Sequence, residues 1–300
     1  MKVNYNYSVI IPHFNSPKLL ERMLRTIPER EDIQIIVVDD ASTTENIKAL
    51  KKLTHKNLGL YFEKENHGAG YARNIGLDYA LGKWVLVVDA DDVFAENAFD
   101  VFDKYKDTDI DYMCYVVDSL DNNLKPDGDL IRSSESIKAY CKKKSHSNLM
   151  LLKYQNLICR NKMVALNFIK RHCIRFEESE VNNDVFYGLS IGHLGEKYIA
   201  IPDVLYHSIK SVDSITRKSR SIEREFLFYL QAQKRNGFYE VLGLKRPPFY
   251  RYDFLYIPFM MKKRGLKGVF EFFKYRKDHI GEVKEARRAY LQILYRCKNE

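Results

Sequence analysis

Trp84-Val85-Leu86-Val87-Val88-Asp89-Ala90-Asp91-Asp92 passes from five apolar residues to three carboxylates within nine positions. A continuous apolar run, without alternation, marks a strand covered on both faces. The three carboxylates at its end repel one another unless a cation lies among them. Oxygen donors of this kind suit Mg²⁺ or Mn²⁺, with substrate phosphates and water completing the coordination. Read as four residues alone, the segment is equally a solvated acidic turn. Its surroundings decide between the two.

Working outward, Ser8-Val9-Ile10-Ile11 is a compact β-branched run ended by Pro12, and the pattern predicts a helix over Pro17–Ile27. Ile33–Val38 is a second buried strand, closed by Asp39-Asp40, with a helix expected over Thr44–Leu53. A strand follows at Leu58–Glu63 and a helix at Gly70–Leu81. Strands alternating with helices predict an α/β fold, a mostly parallel Rossmann-like sheet with helices on both faces. In such a sheet, ligands sit outside the carboxyl ends of the strands. Pro12-His13-Phe14-Asn15, Asp39-Asp40 and Asp89–Asp92 all fall on that rim. Further on, the pattern gives a strand at Tyr112–Val117, a polar turn at Asp121–Asp129, and helices at Glu135–Lys143 and Lys162–Arg171. Past Ser219 it is helical and amphipathic in parts, broken at Arg246-Pro247-Pro248.

The 300 residues are 45% apolar and 30% charged, a soluble globular composition. No apolar run reaches the roughly 18–20 residues that span a bilayer, and the first residues lack the sections of a signal peptide. Five cysteines (114, 141, 159, 173 and 297) show no C-x-x-C spacing. Their number is odd, which fits buried thiols in a reducing cytoplasm. Charge is uneven: residues 217–300 carry 21 Lys and Arg against 9 Asp and Glu, a net of +12, while the whole chain is +9. Residues 1–216 therefore carry a net of −3.

In Asn66-His67-Gly68-Ala69-Gly70-Tyr71-Ala72-Arg73-Asn74, a G-x-G precedes a helix, but Arg73 takes the third glycine position and the segment follows the third strand. It is not a dinucleotide fingerprint. Arg73 instead offers a guanidinium to a diphosphate. Asp39 and Asp40 could accept from a base N–H or a ribose hydroxyl, although such a pair alone is more often a cap or turn.

The blocks SVIIPHFN, IIVVDDAST, NHGAGYARNIGL and WVLVVDADD, in this order and spacing, resemble the nucleotide-binding half of glycosyltransferase family 2. They cover about the first 100 residues, with a weaker continuation through Asn161-Lys162, Phe176-Glu177-Glu178 and Asn183-Asp184-Val185-Phe186 to Ser214-Ile215-Thr216. The resemblance implies a GT-A domain over residues 1–218, with a nucleotide-binding half at 1–108 and an acceptor half at 109–218. Residues 219–300 would then form a helical C-terminal extension. It further implies that Pro12 and Phe14 line a base pocket, that Asp40 holds the base edge with Asp39 supporting it, and that Arg73 lies beside the nucleotide. Asp91 would touch the ribose and share the metal with Asp92. Asp184 matches the catalytic base, although Asn183 stands where the family usually has an acidic partner. His207 is a weaker candidate for the metal, since Ser211 is the nearer matching position.

The implied reaction moves a sugar from a UDP-sugar, held through Mn²⁺ or Mg²⁺, to an acceptor hydroxyl with inversion. The expected acceptor is a glycan or lipid-linked glycan of capsule, lipopolysaccharide or exopolysaccharide, at the inner face of the cytoplasmic membrane. Phe249-Tyr250-Arg251-Tyr252 and Phe272-Phe273-Lys274-Tyr275-Arg276-Lys277 interleave rings with cations. Such segments serve as core or face an anionic membrane surface; no nucleic-acid reading motif is present. Gln231-Ala232-Gln233-Lys234-Arg235 does not match the Q-x-x-R-W of processive synthases. The rival reading is a non-catalytic nucleotide- or polyanion-binding protein of the same fold, which Asn183 favours. A nucleotidyltransferase would open with a Gly-rich phosphate loop, which Pro12-His13-Phe14-Asn15 is not.

Overall fold

The computed structural model describes residues 4–127, 131–210, 221–243, 252–286 and 288. The chain divides into two compact units, one of residues 1–179 and 183–212, the other of 180–182 and 213–300. The first unit is built on one eight-stranded sheet. Its strands are β1 (Tyr7–His13), β2 (Ile33–Asp39), β3 (Leu58–Phe62), β4 (Trp84–Val87), β5 (Val93–Phe94), β6 (Tyr112–Leu120), β7 (Lys162–Ala165) and β8 (Tyr198–Ile209), in the order β3-β2-β1-β4-β7-β6-β8-β5. Only β7 and β5 run against the others, so the sheet is mostly parallel.

The strand order sets the site. From β1 the chain steps outward to β2 and β3, then crosses back to place β4 on the other side of β1. The carboxyl ends of β1 and β4 thus flank the switch point, where an open α/β sheet takes its ligand. β1 pairs with β2 from Tyr7↔Ile33 to His13↔Asp39 and with β4 from Tyr7↔Trp84 to Ile10↔Val87. Val9, Ile10, Ile11, Val37, Val38, Val85 and Leu86 are all inaccessible, as the unbroken apolar runs require.

Helices α1 (Pro17–Leu24), α2 (Thr44–Leu50) and α3 (Ala69–Tyr79) follow β1, β2 and β3. α3 begins after Gly68, whose φ of +91° is open to glycine without strain. At Gly70 a Cβ would lie 1.9 Å from the Glu177 carbonyl oxygen, so this helix start presses backbone to backbone against residue 177. The later part has α4 (Ala98–Asp103), α5 (Arg132–Lys142), α6 (His146–Gln155), α7 (Leu166–Arg171) and α8 (Val185–Leu194).

One expectation fails here. Residues 162–171, expected as one helix, form strand β7 followed by α7. The edge of β4 needs a partner, and Trp84↔Ala165 and Leu86↔Met163 supply it. Tertiary pairing overrides a local helical pattern. The strand at Tyr112 also runs on to Leu120, because β8 pairs with it along its length.

The second unit contains α9 (Ile222–Val241) and α10 (Tyr252–Asp278), the latter broken at Gly265 with φ +66°. Phe226 and Tyr229 of α9 pack with Phe272 of α10 and with Val283 in a small core of their own. Phe272 of the aromatic-basic stretch is thus core, and Arg276 Nε donates to the Tyr229 hydroxyl at 2.7 Å. Leu266 and Phe270 on the outer side of α10 are 75% and 73% exposed. Phe249, Tyr250 and Arg251, and the Arg246-Pro247-Pro248 break, lie outside the described residues. Among the described residues, no helix is long and apolar enough to cross a membrane.

Candidate functional site

At the switch point the Asp89, Asp91 and Asp92 carboxylates come within 4.8 Å of one another. Asp92 is buried and Asp91 faces solvent. The sequence predicts that such a group needs a cation, and the structure supplies guanidinium groups. Arg73 donates to Asp89 Oδ1 at 2.6 Å, and Arg160 to Asp89 Oδ2 at 3.1 Å. The Arg160 Nε also stands 3.7 Å from Asp92 Oδ2. Arg22 of α1 donates to the Asp91 carbonyl. Asp92 Oδ1 accepts the Ile209 N–H at 2.8 Å.

These contacts divide the three carboxylates. Burial works to raise Asp89, but Arg73 and Arg160 outweigh it and hold Asp89 below the ordinary carboxylate range. Burial pushes Asp92 up to about 7 against the pull of Arg160, with Asp89 and Asp91 adding to the rise. Desolvation in the crowded turn, then the Asp89 charge, raises Asp91. Both Asp89 oxygens are taken by arginines, whereas Asp92 Oδ2 and the solvent-facing Asp91 remain as hard oxygen donors. That donor set fits Mg²⁺ or Mn²⁺ completed by phosphate and water.

Arg73, in the first turns of α3, is 6% exposed. Besides Asp89 it donates to Asn183 Oδ1 at 2.5 Å and lies over the Phe176 ring at 5.4 Å. Phe176 in turn stacks on Tyr187 of α8 at 4.0 Å. Burial disfavours the Arg73 charge, and the nearby Cys159, Asp89 and Asp184 reverse that, so it stays protonated. Asp184 stands at the N-terminal boundary of α8 with no side-chain cap hydrogen bond. Its charge also bears on Cys159 and Lys162. Lys162 is itself buried, and its ammonium group is satisfied by Asn156 O, Ile158 O and Asn161 Oδ1 at 2.6–2.9 Å; it serves to hold the 156–161 turn.

Asp39 is bound within the protein. It accepts from Ser42 Oγ at 2.6 Å and Ser42 N at 3.0 Å, and pairs with His13 Nδ1 at 2.7 Å. Because His13 Nε2 accepts the Ser16 N–H at 3.1 Å, the proton of a neutral ring sits on Nδ1 and points at Asp39. Burial raises Asp39, and His13 and Ser42 bring it below its ordinary value. Asp40 accepts the N–H groups of His67 (2.9 Å) and Gly68 (2.7 Å), fixing the turn before α3. Pro12 is partly exposed at the end of β1, and Phe14 is 50% exposed just beyond it.

Pro12, Phe14, Asp39, Asp40, Arg73, Asp91, Asp92 and Asp184 therefore come from five chain segments that meet beside the switch point. His207 sits on β8 opposite Val93, outside the carboxylate group, and burial lowers its pKa. Ser211 and Ser214–Thr216 lie outside the described residues. Sequence reasoning did not find Arg22 or Arg160. Nothing distinguishes Arg22 within its helix. Arg160 precedes β7, and the antiparallel pairing of β7 with β4 carries it past the carboxyl end of β4 to Asp89.

Residues 8–170 match Glycosyl transferase family 2. The chain belongs to this family. Among curated family-type relatives, it is 34% identical over 113 residues to the minor teichoic acid biosynthesis protein GgaB of Bacillus subtilis, covering 34% of this chain and 13% of GgaB. It is 35% identical over 92 residues to the poly(ribitol-phosphate) beta-N-acetylglucosaminyltransferase TarS of Staphylococcus aureus, covering 29% of this chain and 16% of TarS. An uncharacterized glycosyltransferase of Mycoplasma genitalium shares 37% identity over 109 residues and is covered to 36%. The chain thus spans about a third or less of these relatives' length. In fold, it resembles the crystal structure of S. aureus TarS 1–349 in complex with UDP-GlcNAc, with a TM-score of 0.68 at 19% identity, over 95% of this chain and 83% of that one. The family-2 blocks of the sequence and the GT-A-like sheet therefore agree.

Proposed function

We propose that this family-2 chain transfers a sugar from a nucleotide diphosphate sugar, a UDP-sugar by preference, to an acceptor hydroxyl in cell-surface polysaccharide synthesis. The observation that carries the reading is the acidic group of Asp89, Asp91 and Asp92 at the switch point, backed by buried Arg73. Its likeness to TarS, crystallised with UDP-GlcNAc, supports the uridine preference.

The residues divide the work. Phe14 and Pro12 offer an apolar surface for a base, while Asp40, with Asp39 behind it, fixes the turn that faces the base edge. Asp91 serves the ribose and the cation, and Asp92 the cation. A divalent cation bound there would stabilise the charge on the departing diphosphate. Arg73 faces the same charge and stays cationic because Asp89 and Asp184 surround it. Asp184 takes the acceptor proton as general base, and attack on the face opposite the leaving group gives inversion. Residues 219–300 form the extension that touches an anionic membrane, where a lipid-linked acceptor is met.

The deciding experiment is nucleotide release. Purified protein with Mn²⁺ or Mg²⁺ and a panel of UDP-, GDP- and TDP-sugars should liberate nucleoside diphosphate from one donor, and EDTA should stop it. No release, together with no metal-dependent UDP binding by calorimetry, would remove the enzyme reading and leave a nucleotide- or polyanion-binding protein.

A further inference from the structure

The arginine on the acidic group is placed as a cation would be. Arg160 lies just before β7, and the β7–β4 pairing delivers it to the end of β4. Its Nη1 reaches Asp89 Oδ2 at 3.1 Å, and its Nε approaches Asp92 Oδ2 at 3.7 Å. The Nε is buried and makes no hydrogen bond. Asp89 is also held by Arg73, at 2.6 Å on its other oxygen, so it keeps a cation whether or not Arg160 stays. Among the described residues, no second arginine reaches Asp92. The Nε contact is too long for a hydrogen bond, so it is Coulombic and easily exchanged.

We infer that Arg160 is the resident counter-cation of the acidic group and competes with a divalent cation for Asp92. It is a positioning residue in this sense: through Asp89 and Asp92 it keeps three like charges together before any ion arrives. The inference rests on the metal-dependent reading of the site. It gives the three clustered carboxylates, of which Asp92 is the buried one, a counter-charge from the chain itself, and it identifies the group an incoming ion has to displace. Arg22 is different in kind, because its hydrogen bond goes to the Asp91 carbonyl, and its charge does no more than work against the rise of the Asp91 carboxyl.

The test is Mn²⁺ binding, followed by calorimetry or by the spin-resonance signal of free Mn²⁺, in the wild type, Arg160→Gln and Arg160→Lys. Removing one unit of positive charge next to a divalent ion should tighten Mn²⁺ binding by roughly tenfold in Arg160→Gln. Arg160→Lys keeps the charge without the planar two-point reach and should fall between the two. Unchanged or weaker Mn²⁺ binding in a folded Arg160→Gln protein would overturn the competition, as a purely structural role predicts. If Arg160→Gln does not fold, Arg160→Lys decides by the same sign. If neither wild type nor variant binds Mn²⁺, the competition fails together with the metal reading, and wild-type binding separates that case from failure of the Arg160 inference alone.

Discussion

Arg73 donates to the amide oxygen of Asn183 at 2.5 Å, across 110 residues of sequence. The residue that departs from the family pattern is therefore in use: its oxygen accepts from the same buried guanidinium that holds Asp89. Asn183→Ala would leave that donor buried and unpartnered, at a cost of about 1–3 kcal/mol. Asn183→Asp keeps an acceptor there and turns the hydrogen bond into an ion pair. Denaturant titration should show the loss in Asn183→Ala and little or none in Asn183→Asp. Equal losses would mean that the Arg73 contact is not what position 183 contributes.

Asp184 follows directly, at the start of α8 and without a capping hydrogen bond. Its carboxylate is thus not committed to holding its own helix. In the proposed role of general base, it should be dispensable for folding and essential for turnover. Asp184→Asn is expected to leave thermal stability and UDP affinity near wild type and to lower transfer by about 10²–10⁴-fold. A variant that keeps its transfer rate would move the base elsewhere.

Gly70 packs the start of α3 against the segment that leads to Asp184. A Cβ at this position would meet the Glu177 carbonyl oxygen at 1.9 Å and approach Asn183 Cβ at 3.1 Å. Both neighbours belong to the segment that carries Asp184, and relief requires moving backbone. Gly70→Ala should cost about 1–3 kcal/mol in unfolding free energy. It should also slow transfer more than it weakens UDP binding, since the displaced groups lie on the segment that leads to Asp184, the proposed base. Steady-state kinetics with both substrates would separate the two effects.

The outer side of α10 exposes Leu266 and Phe270, with Lys267 and Lys274 three before and four after Phe270. Apolar side chains beside lysines suit an anionic interface. Co-sedimentation with phosphatidylglycerol vesicles should fall several-fold in Leu266→Ser/Phe270→Ser, while transfer to a soluble acceptor analogue should be unchanged. Equal binding to neutral and anionic vesicles would argue against the lysines.

The parallel half of the sheet was legible because its signal is local. Val9–Ile11, Ile35–Val38 and Trp84–Val88 are unbroken apolar runs that give way to polar residues within two positions, and buried strands have little other way to read. The rim residues Asp39, Asp40 and Asp89–Asp92 followed from where those runs stop. What stayed hidden depends on pairing across long separations. Lys162–Ala165 has a helical pattern yet becomes a strand because β4 offers it an edge, and Arg160 reaches Asp89 only through that pairing. Asn183 could be seen as a departure, but its bond to Arg73 spans two distant segments and has no local mark. The same holds for Asp40, whose partners are the backbone N–H groups of His67 and Gly68.

One acid-sensitive clamp lies away from the site. Arg30 donates to Asp32 at 2.7 and 2.8 Å and to Asp103 at 2.6 and 3.0 Å, joining the loop before β2 to α4. The Arg30 hydrogen bonds, more than any other influence, hold Asp32 at about 2, below its ordinary 3.8; Asp103 is lowered as well, with Arg30 and the Tyr7 hydroxyl overcoming its burial. A carboxylate depressed in the folded state binds fewer protons there than in the unfolded chain. Its stabilisation is therefore full above the unfolded pKa near 4 and is lost as pH falls toward 2. Because the clamp is partly open to solvent, its worth is on the order of 1 kcal/mol rather than the full shift. Arg30→Gln should lower stability at pH 7 by that amount and flatten the decline between pH 4 and pH 2. Parallel curves for wild type and variant through that window would mean that other carboxylates govern acid unfolding.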